Sequence, residues 1–219
     1  MTILPHRLLR ALEHFNAAHP WDHNAHYHRW ILRQLPRERV RRALDVGCGS
    51  GGLARALAGR ADSVLGVDSD AEIVGRARES TPHGFPVSYV VADAPDGIPE
   101  GSYDVITCVA VLHHLPLAET LTRFRRQLAP GGTLLVVGLA REEGPVDHLL
   151  GAVSIPLNLV LGWAKNRGRR AGVRPVSMTA VTRPAETGFS GIARAARRVL
   201  PGVRMRRRLF WRYTLVWRG

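Results

Sequence analysis

The sequence predicts an α/β protein in which a mostly parallel sheet, covered by helices on both faces, ends in an antiparallel C-terminal hairpin. Between residues 42 and 139, short apolar runs alternate with helix-forming segments, which is typical of parallel βαβ units. These runs lack strict polar alternation, so their strands are expected to be buried on both faces. Near the C-terminus, two alternating segments (203–209 and 213–218) stand almost adjacent, which indicates the hairpin.

The individual elements follow from the same patterns. The first 40 residues are predicted to be helical, with a break at His19 and Pro20. Asp70 is the expected N-cap of one of the later helices, and residues 129–132 (APGG) are predicted to form a turn. The predicted strands are 42–46, 63–67, 87–91, 103–109 and 133–139, and the later helices are 51–58, 70–79, 117–128 and 187–199.

Composition limits the class of protein. The chain has 219 residues, of which 45% are hydrophobic and 22% charged, and this excludes disordered, collagen-like and disulfide-scaffold proteins. Cys48 and Cys108 fall in segments predicted to be buried, so we expect reduced thiols and a cytoplasmic location. The apolar run at the N-terminus is too short for a signal peptide.

A glycine-rich loop at residues 43–52 (ALDVGCGSGG) is the most informative stretch. It follows a strand and opens a helix, where glycines permit a tight turn and close approach of a ligand to the backbone. Asp68 ends the next strand, where a carboxylate can accept hydrogen bonds from both hydroxyls of a ribose.

The same loop argues against a phosphate ligand. No Gly-Lys-Ser/Thr sequence follows it, so it is not a P-loop. Asp45 precedes the glycines and would repel a pyrophosphate, and the chain is too short for a full dinucleotide fold with a substrate domain. A ligand with a ribose and an ammonium but no phosphate fits better, and S-adenosylmethionine is such a ligand.

Five stretches, in this order and spacing, resemble the class I S-adenosylmethionine-dependent methyltransferases, and most closely the small-molecule branch that includes ubiquinone- and menaquinone-type enzymes. They are residues 44–51 (LDVGCGSG), 66–68 (GVD), 91–94 (VADA), 103–115 (YDVITCVAVLHHL) and 128–132 (LAPGG). The resemblance implies a Rossmann-like three-layer sandwich with a seven-stranded sheet. It also implies a single methyltransferase domain over residues 1–219.

Within that domain, the resemblance divides the chain into four regions. Residues 1–40 would form an N-terminal helical lid, 41–140 the cofactor-binding core, 141–175 a substrate-side insertion, and 176–219 a C-terminal helix and hairpin. The resemblance also assigns the cofactor site. Asp45, Gly47 and Gly49 would surround the methionine part, Asp68 with the adjacent Ser69 the ribose, Asp93 and Ala94 the adenine, and the backbone near Val109 the amino group.

Two histidines are the candidate catalytic residues. His113 and His114 follow the strand at 103–109, on the edge where the methyl group should lie. Methyl transfer is an in-line displacement, so a base is needed only if the acceptor must lose a proton. An imidazole there could deprotonate a hydroxyl, a phenol or an activated carbon acid. Alternatively, one of the two rings is structural and packs the loop.

The N-terminal helices are rich in histidine. Six of the ten histidines fall within the first 28 residues, but their irregular spacing does not indicate a metal site. We favour a lid helix in which Tyr27 and His28 face the cofactor and Trp30 packs on the sheet. A solvated amphipathic helix is the alternative.

An apolar stretch at residues 149–164 contains Gly151, Pro156 and Asn158, so we expect it to be too interrupted to span a bilayer. It could pack on the core, line a pocket for an apolar acceptor, or lie in a membrane interface.

The basic C-terminal quarter of the chain also leaves alternatives open. Residues 165–219 hold fifteen basic residues and one acid, a net charge of +14. These arginines, with Trp211 and Trp217, could bind RNA or could keep an edge hairpin soluble.

The leading hypothesis is therefore methyl transfer from S-adenosylmethionine to a small organic acceptor, at an oxygen, nitrogen or carbon atom that the sequence does not identify. An apolar acceptor is one of the open alternatives. The alternatives are an RNA methyltransferase that uses the basic tail, and a catalytically silent cofactor-binding protein. Nucleic acid is the less favoured partner, peripheral membrane contact stays open, and the sequence does not predict the oligomeric state.

Overall fold

The computed structural model describes residues 6–167, 169 and 183–219. Part of the predicted insertion at 141–175 lies outside the described residues. The helices are α1 (His6–Ala18), α2 (His23–His26), α3 (His28–Gln34), α4 (Gly52–Ala58), α5 (Ala71–Glu79), α6 (Leu117–Gln127), α7 (Pro145–Lys165) and α8 (Phe189–Val199). The strands are β1 (Val40–Val46), β2 (Ala61–Asp68), β3 (Val87–Val91), β4 (Tyr103–Val109), β5 (Leu128–Leu139), β6 (Arg204–Arg208) and β7 (Arg212–Arg218).

The seven strands form one sheet in the order β3-β2-β1-β4-β5-β7-β6. The first five strands are parallel, and β7 runs antiparallel to both β5 and β6. The order reverses between β1 and β4, which is where an open α/β sheet leaves a crevice at the carboxyl ends of its strands. The predicted fold class is confirmed, including the antiparallel hairpin at the end of the chain.

Alternate side chains of each strand enter two separate cores, because successive residues of a strand point to opposite faces. On one face, Leu44 and Ile106 pack with residues of α6 and α8 such as Phe124 and Ile192. On the other face, a second core joins the sheet to α3, α4 and α5. These two helical layers and the sheet form the three-layer sandwich.

The predicted turn at residues 129–132 is wrong, because these residues lie inside β5. Leu128 pairs with Tyr103 and Thr133 pairs with Val105, so β5 uses three more residues than β4 over this interval. Gly131 has a φ of 75°, which lets the strand bulge without leaving the sheet.

The apolar stretch is also less interrupted than the sequence suggested. It lies in α7, a continuous helix of 21 residues that has Pro156 inside it. Pro156 is on the exposed side of the helix, where the carbonyl that loses its partner can bind water. Among the described residues, α7 is the one helix that is long and apolar enough to cross a membrane, judged by length and composition alone.

Candidate functional site

The glycine loop joins β1 to α4 at the carboxyl edge of the sheet. The backbone N–H groups of Gly47 and Cys48 both donate to the carbonyl of Val67, at 2.8 and 3.0 Å, which holds the loop against the end of β2. Gly47 has a φ of 71°, and a Cβ placed on it would lie 2.0 Å from Cγ2 of Val111. Only glycine fits this position, because both the conformation and the contact exclude a side chain.

Asp45 is buried in β1, directly before the loop. Its Oδ1 accepts a hydrogen bond of 2.7 Å from Thr107 Oγ1 on β4, while its buried Oδ2 has no partner among the described residues. Burial raises the pKa of this carboxyl to about 7, and the nearby Asp68 acts in the same direction. An unpartnered buried carboxylate oxygen is suited to bind an ammonium group.

Asp68 ends β2 and is bound to both neighbouring loops. Its Oδ2 accepts from the N–H of Gly49 at 2.8 Å, and its Oδ1 accepts from the N–H of Asp70 at 3.1 Å. Each oxygen keeps a second lone pair for a ligand hydroxyl. Ser69 follows and is exposed. Asp70 is the N-cap of α5, as predicted, and accepts from the N–H groups of Glu72 and Ile73.

The predicted adenine-binding residues lie next along the same edge. The N–H of Ala92 donates to the carbonyl of Asp68 at 2.9 Å, which places Asp93 and Ala94 just beyond the end of β3. Asp93 is exposed and Ala94 is half-buried. Val109 ends β4 on the other side of the glycine loop and is also half-buried. The fold therefore brings the acidic residues and the glycines to one edge of four adjacent strands.

His113 and His114 form part of a short 3-10 helix, Leu112–His114, that follows β4 at this edge. Their ring centroids are 3.9 Å apart. His113 Nδ1 is buried and has no hydrogen-bond partner among the described residues. Burial, together with the charges of His114 and Arg212, lowers the pKa of His113 to about 4, and a hydrogen bond with the backbone of Arg183 acts in the opposite direction. His113 is therefore neutral at pH 7 and can accept a proton, although only as a weak base.

The predicted lid residues point in two directions. A Cβ placed on Gly52 would lie 3.7 Å from Cε1 of His28, so His28 lies over the start of α4, as a lid residue should. Tyr27 is buried, and its hydroxyl donates to the carbonyl of Leu209 at 2.8 Å. Tyr27 thus anchors the lid to the C-terminal hairpin, and its predicted contact with the cofactor stays a prediction.

Three residues of the site were not predicted from the sequence. Thr107, on the neighbouring strand, donates a hydrogen bond to Asp45. Tyr89 packs against Gly51, where a Cβ would lie only 2.3 Å from the tyrosine hydroxyl oxygen. Arg212, at the start of β7, donates to Asn24 Oδ1 of the lid and to the carbonyl of Phe210. Only their alternation with buried neighbours marked them, and that pattern does not distinguish a site residue from a core residue.

Arg212 has a further property. Within the described part of the chain, no carboxylate oxygen lies within 4.0 Å of its guanidinium, although burial lowers its pKa. Its charge also lowers the pKa of His113 and of His23, so it acts on both the loop after β4 and the lid. The charge of Asp22 acts on Arg212 from a greater distance and raises its pKa. A half-buried guanidinium that forms no direct ion pair is suited to bind a carboxylate or phenolate of a ligand.

The residues at this edge fit the cofactor predicted from the sequence. Asp45 presents an unpartnered oxygen to an ammonium, Asp68 presents acceptors to a ribose, and the glycines leave space for a ligand close to the backbone. No lysine or arginine lies in the loop between Asp45 and Gly52 to neutralise a phosphate. The donors and acceptors present therefore match a cationic nucleoside better than a nucleotide.

Comparison with known proteins places the same residues in one family. The family model described as a methyltransferase domain matches residues 44–136. An uncharacterized methyltransferase of Mycobacterium tuberculosis is 30% identical over 205 residues, which cover 91% of this chain and 98% of the relative. The ubiquinone biosynthesis O-methyltransferase of Methylococcus capsulatus is 37% identical over 106 residues, covering 47% of this chain and 45% of that protein.

Solved structures show the same fold. The N-methyltransferase NodS of Bradyrhizobium japonicum, in complex with S-adenosyl-l-homocysteine, superposes with a TM-score of 0.60 at 19% identity, covering 96% of this chain and 97% of that one. An S-adenosylmethionine dependent methyltransferase of Mesorhizobium loti gives a TM-score of 0.59 at 18% identity, covering 87% of this chain and 96% of that one.

Proposed function

The chain belongs to the class I S-adenosylmethionine-dependent methyltransferases, and from this premise we propose that its acceptor is a small, largely apolar organic molecule that carries an acidic group. The predictions of an enzyme, of methyl transfer and of S-adenosylmethionine as cofactor are confirmed. The bound cofactor supplies an electrophilic methyl group on a sulfonium that is already a good leaving group.

The observation that carries the acceptor proposal is the position of Arg212. It lies between the lid and the hairpin, its charge reaches His113, and it has no carboxylate partner within 4.0 Å in the described residues. An acidic group on the acceptor would pair with this guanidinium and orient the rest of the molecule toward the carboxyl edge of β4. Orientation of the acceptor is the main task of the protein in an in-line displacement.

The surroundings of Arg212 support an apolar acceptor body. A small cavity of about 30 Å³ lies beyond the end of β5, and Arg212 contributes to its wall. Phe189, Tyr213 and Trp211 supply aromatic surface there, against which we propose that the apolar part of the acceptor packs. The rest of the wall is partly charged and includes Glu142, Asp147, Arg207 and Arg208. A cavity of this size holds only about two water molecules. Binding of an organic acceptor therefore requires the elements around this cavity to separate.

His113 is the candidate proton acceptor within this arrangement. It is neutral at pH 7, and its buried Nδ1 has no partner in the described residues. An anionic acceptor would offset the charge of Arg212 and raise the basicity of His113 at the moment when a base is needed. His114 is exposed and packs on His113, so its role in this proposal is to position that ring.

The RNA alternative is not favoured, because several hairpin arginines already have intramolecular partners. Arg207 pairs with Asp147, and Arg208 donates to Thr214 and lies over Trp30. Arg204 and Arg206 remain exposed on the edge strand β6, where charge prevents pairing with other strands.

A cytoplasmic location is also part of the proposal. Cys48 and Cys108 are both buried and free, and burial raises the pKa of each thiol. Such thiols are unreactive and persist in a reducing compartment.

The experiment has two steps. Calorimetric titration with S-adenosylmethionine, S-adenosylhomocysteine and NAD tests the cofactor, and we expect micromolar affinity for the first two and none for NAD. Transfer of a labelled methyl group is then measured against a panel of aromatic and aliphatic acids, their neutral amides, and total RNA. The proposal is supported if an acid is labelled and its amide is not. It also requires that this labelling is lost in Arg212→Gln and retained in Arg206→Gln. Labelling of RNA, or equal labelling of acid and amide, contradicts it.

A further inference from the structure

Helix α7 packs with its polar and small residues facing inward. The buried positions on this helix are Gly151, Ser154, Asn158 and Gly162, which lie on one side because they are three or four residues apart. On the opposite side, the large apolar residues are exposed, with Leu149 at 65%, Val160 at 62% and Trp163 at 56%. This is the reverse of an ordinary surface helix, whose apolar side faces the core.

The exposed apolar residues form a continuous stripe, which we call the α7 apolar face. It consists of Val146, Leu149, Val153, Leu157, Val160 and Trp163. No lysine, arginine, aspartate or glutamate occurs between Asp147 and Lys165, so the stripe is uncharged over almost its whole length. A contiguous apolar surface of this kind on a soluble fold marks an interaction site.

The inward side of α7 shows that the helix lies along the protein rather than crossing a bilayer. Asn158 Oδ1 accepts from Trp21 Nε1 at 2.7 Å, and its Nδ2 donates to Asn16 Oδ1 at 2.9 Å. Ser154 Oγ accepts from the backbone N–H of Phe210 at 2.8 Å. A spanning helix would break these bonds and place Asn158 in hydrocarbon without partners, which is costly.

The charge around the stripe is asymmetric and favours an anionic surface. Lys165 is the last residue of α7, and Arg167 and Arg169 follow it; all three are exposed. The ammonium of Lys165 lies 5.0 Å from the ring centroid of Trp21. At the other end, the carboxylate of Asp147 is paired with Arg207. An apolar helical face with tryptophan and basic residues at its end is suited to the interface of an anionic bilayer.

We propose that the protein docks reversibly on an anionic lipid bilayer through the α7 apolar face, with α7 parallel to the membrane and Lys165, Arg167 and Arg169 at the headgroups. A protein groove would supply apolar surface without requiring this basic end. The bilayer supplies both an apolar interior and negative charge, so it is the single occupant that satisfies the whole surface. This inference does not depend on the identity of the methyl acceptor.

The test is co-sedimentation of the full chain with vesicles of phosphatidylcholine, with and without about one third phosphatidylglycerol. We expect binding to the anionic vesicles that weakens with salt, and little binding to the neutral ones. Leu149→Gln/Val153→Gln/Val160→Gln should weaken binding at least about tenfold, because three apolar side chains leave the interface. The control Phe85→Gln, which changes an apolar side chain that is 45% exposed on another part of the surface, should bind normally.

A second pair of variants separates a specific basic end from general attraction. Lys165→Glu/Arg167→Glu/Arg169→Glu should reduce binding to anionic vesicles by about tenfold or more. The control is Arg37→Glu/Arg194→Glu/Arg197→Glu, which makes the same change in net charge at exposed residues away from α7. This control should reduce binding to anionic vesicles much less. Equal losses in the two variants would overturn the assignment to α7. Circular dichroism and cofactor titration verify that every variant is folded.

Fluorescence provides a direct readout of orientation. Lipids brominated on the acyl chain should quench the wild-type chain, and Trp163→Phe should remove most of that quenching, because Trp163 enters the interface. Absence of vesicle binding by the wild-type chain would overturn the proposal. So would a wild-type dimer that becomes monomeric in the triple glutamine variant, since the α7 apolar face would then join two copies of the chain.

Discussion

Asp68 has a structural role in the fold and is also the residue predicted to bind the ribose. Its carboxylate holds the glycine loop through Gly49 and the start of the next turn through Asp70, while its remaining lone pairs face the ligand edge. Its position at the end of β2 follows from the sequence, because the apolar run of residues 64–67 stops at Asp68. Its hydrogen bonds to two separate loops follow only from the fold.

We expect Asp68→Asn to weaken S-adenosylmethionine binding about thirtyfold or more, because an amide cannot accept from both ribose hydroxyls as a carboxylate does. Calorimetric titration measures the loss. The matched control is Asp70→Asn two residues later, which keeps an N-cap side chain and should bind the cofactor with unchanged affinity. Wild-type affinity in Asp68→Asn would contradict the ribose assignment.

Asp45 gives a pH-dependence prediction. Its folded pKa, about 7, is above the ordinary value, so the free protein favours the protonated form. The stability that the neutral carboxyl contributes is complete below about pH 4 and is lost as pH rises through about 7. The cofactor ammonium favours the opposite, ionised form. Cofactor affinity should therefore rise between about pH 5.5 and pH 7.5 as Asp45 ionises. Over this range the α-amino group of the cofactor stays largely protonated.

In Asp45→Asn, this rise should be absent, because the amide does not titrate over that range. The measurement is calorimetric titration at a series of pH values for both proteins. If the variant keeps the same pH dependence as the wild type, a different group controls cofactor binding.

At the scale of elements, α7 and the N-terminal helices are joined by a polar cluster rather than by an apolar contact. Asn158 binds Asn16, Trp21 and His23, and Asn166 Nδ2 donates to the carbonyl of Pro20. Burial lowers the pKa of His23, so its ring is neutral and can share a hydrogen bond with the amide. This cluster holds the N-terminal helices, which place His28 over the start of α4.

Asn158→Ala should lower the free energy of unfolding by about 2 kcal/mol, because it leaves the buried Trp21 indole N–H without an acceptor. Denaturant unfolding measures this loss, and hydrogen exchange should show faster opening of residues 19–34. Leu157→Ala, on the exposed side of the same helix, should change stability by less than about 0.5 kcal/mol. Equal effects of the two variants would show that α7 does not hold the lid through its polar side.

The tip of the C-terminal hairpin is an element that secondary-structure patterns do not describe. Phe210 and Trp211 both have a φ of 58°, a conformation that large side chains rarely adopt. Phe210 is nevertheless buried, and its ring packs edge-on against Trp21 with centroids 4.9 Å apart. Packing between the hairpin and the lid therefore offsets the local backbone strain.

At the scale of the whole molecule, the dominant feature is the excess of positive charge. The chain has a net charge of +13, and the last quarter alone carries +14, since the rest of the chain sums to −1. Among the described basic residues of that quarter, Arg207 is the one that forms an ion pair, with Asp147. Like charges on α8 and β6 therefore repel one another in the folded state.

Moderate salt should stabilise the protein for this reason. Raising sodium chloride from about 0.02 M to about 0.3 M shortens the screening length and should raise Tm by a few degrees. Differential scanning calorimetry measures the shift. In Arg194→Gln/Arg197→Gln/Arg206→Gln, which removes three exposed positive charges, the rise should be smaller. A Tm that falls with salt would mean that attractive ion pairs outweigh the repulsion.

The sequence by itself determined the order of the elements, the sheet with its final hairpin, and the position of Asp45, Asp68 and the glycine loop at one edge of that sheet. These features are local, since a buried strand, a glycine turn and a capping acid can each be recognised within about ten residues. The tertiary structure decided which distant residues share a site: Thr107 with Asp45, Arg212 with the lid, and Tyr27 with the hairpin. It also decided that α7 turns its polar side inward, because hydrogen-bond partners for Asn158 and Ser154 come from residues more than 50 positions away. Periodicity shows that a helix has two sides, but only the packing of the whole chain determines which side faces the protein.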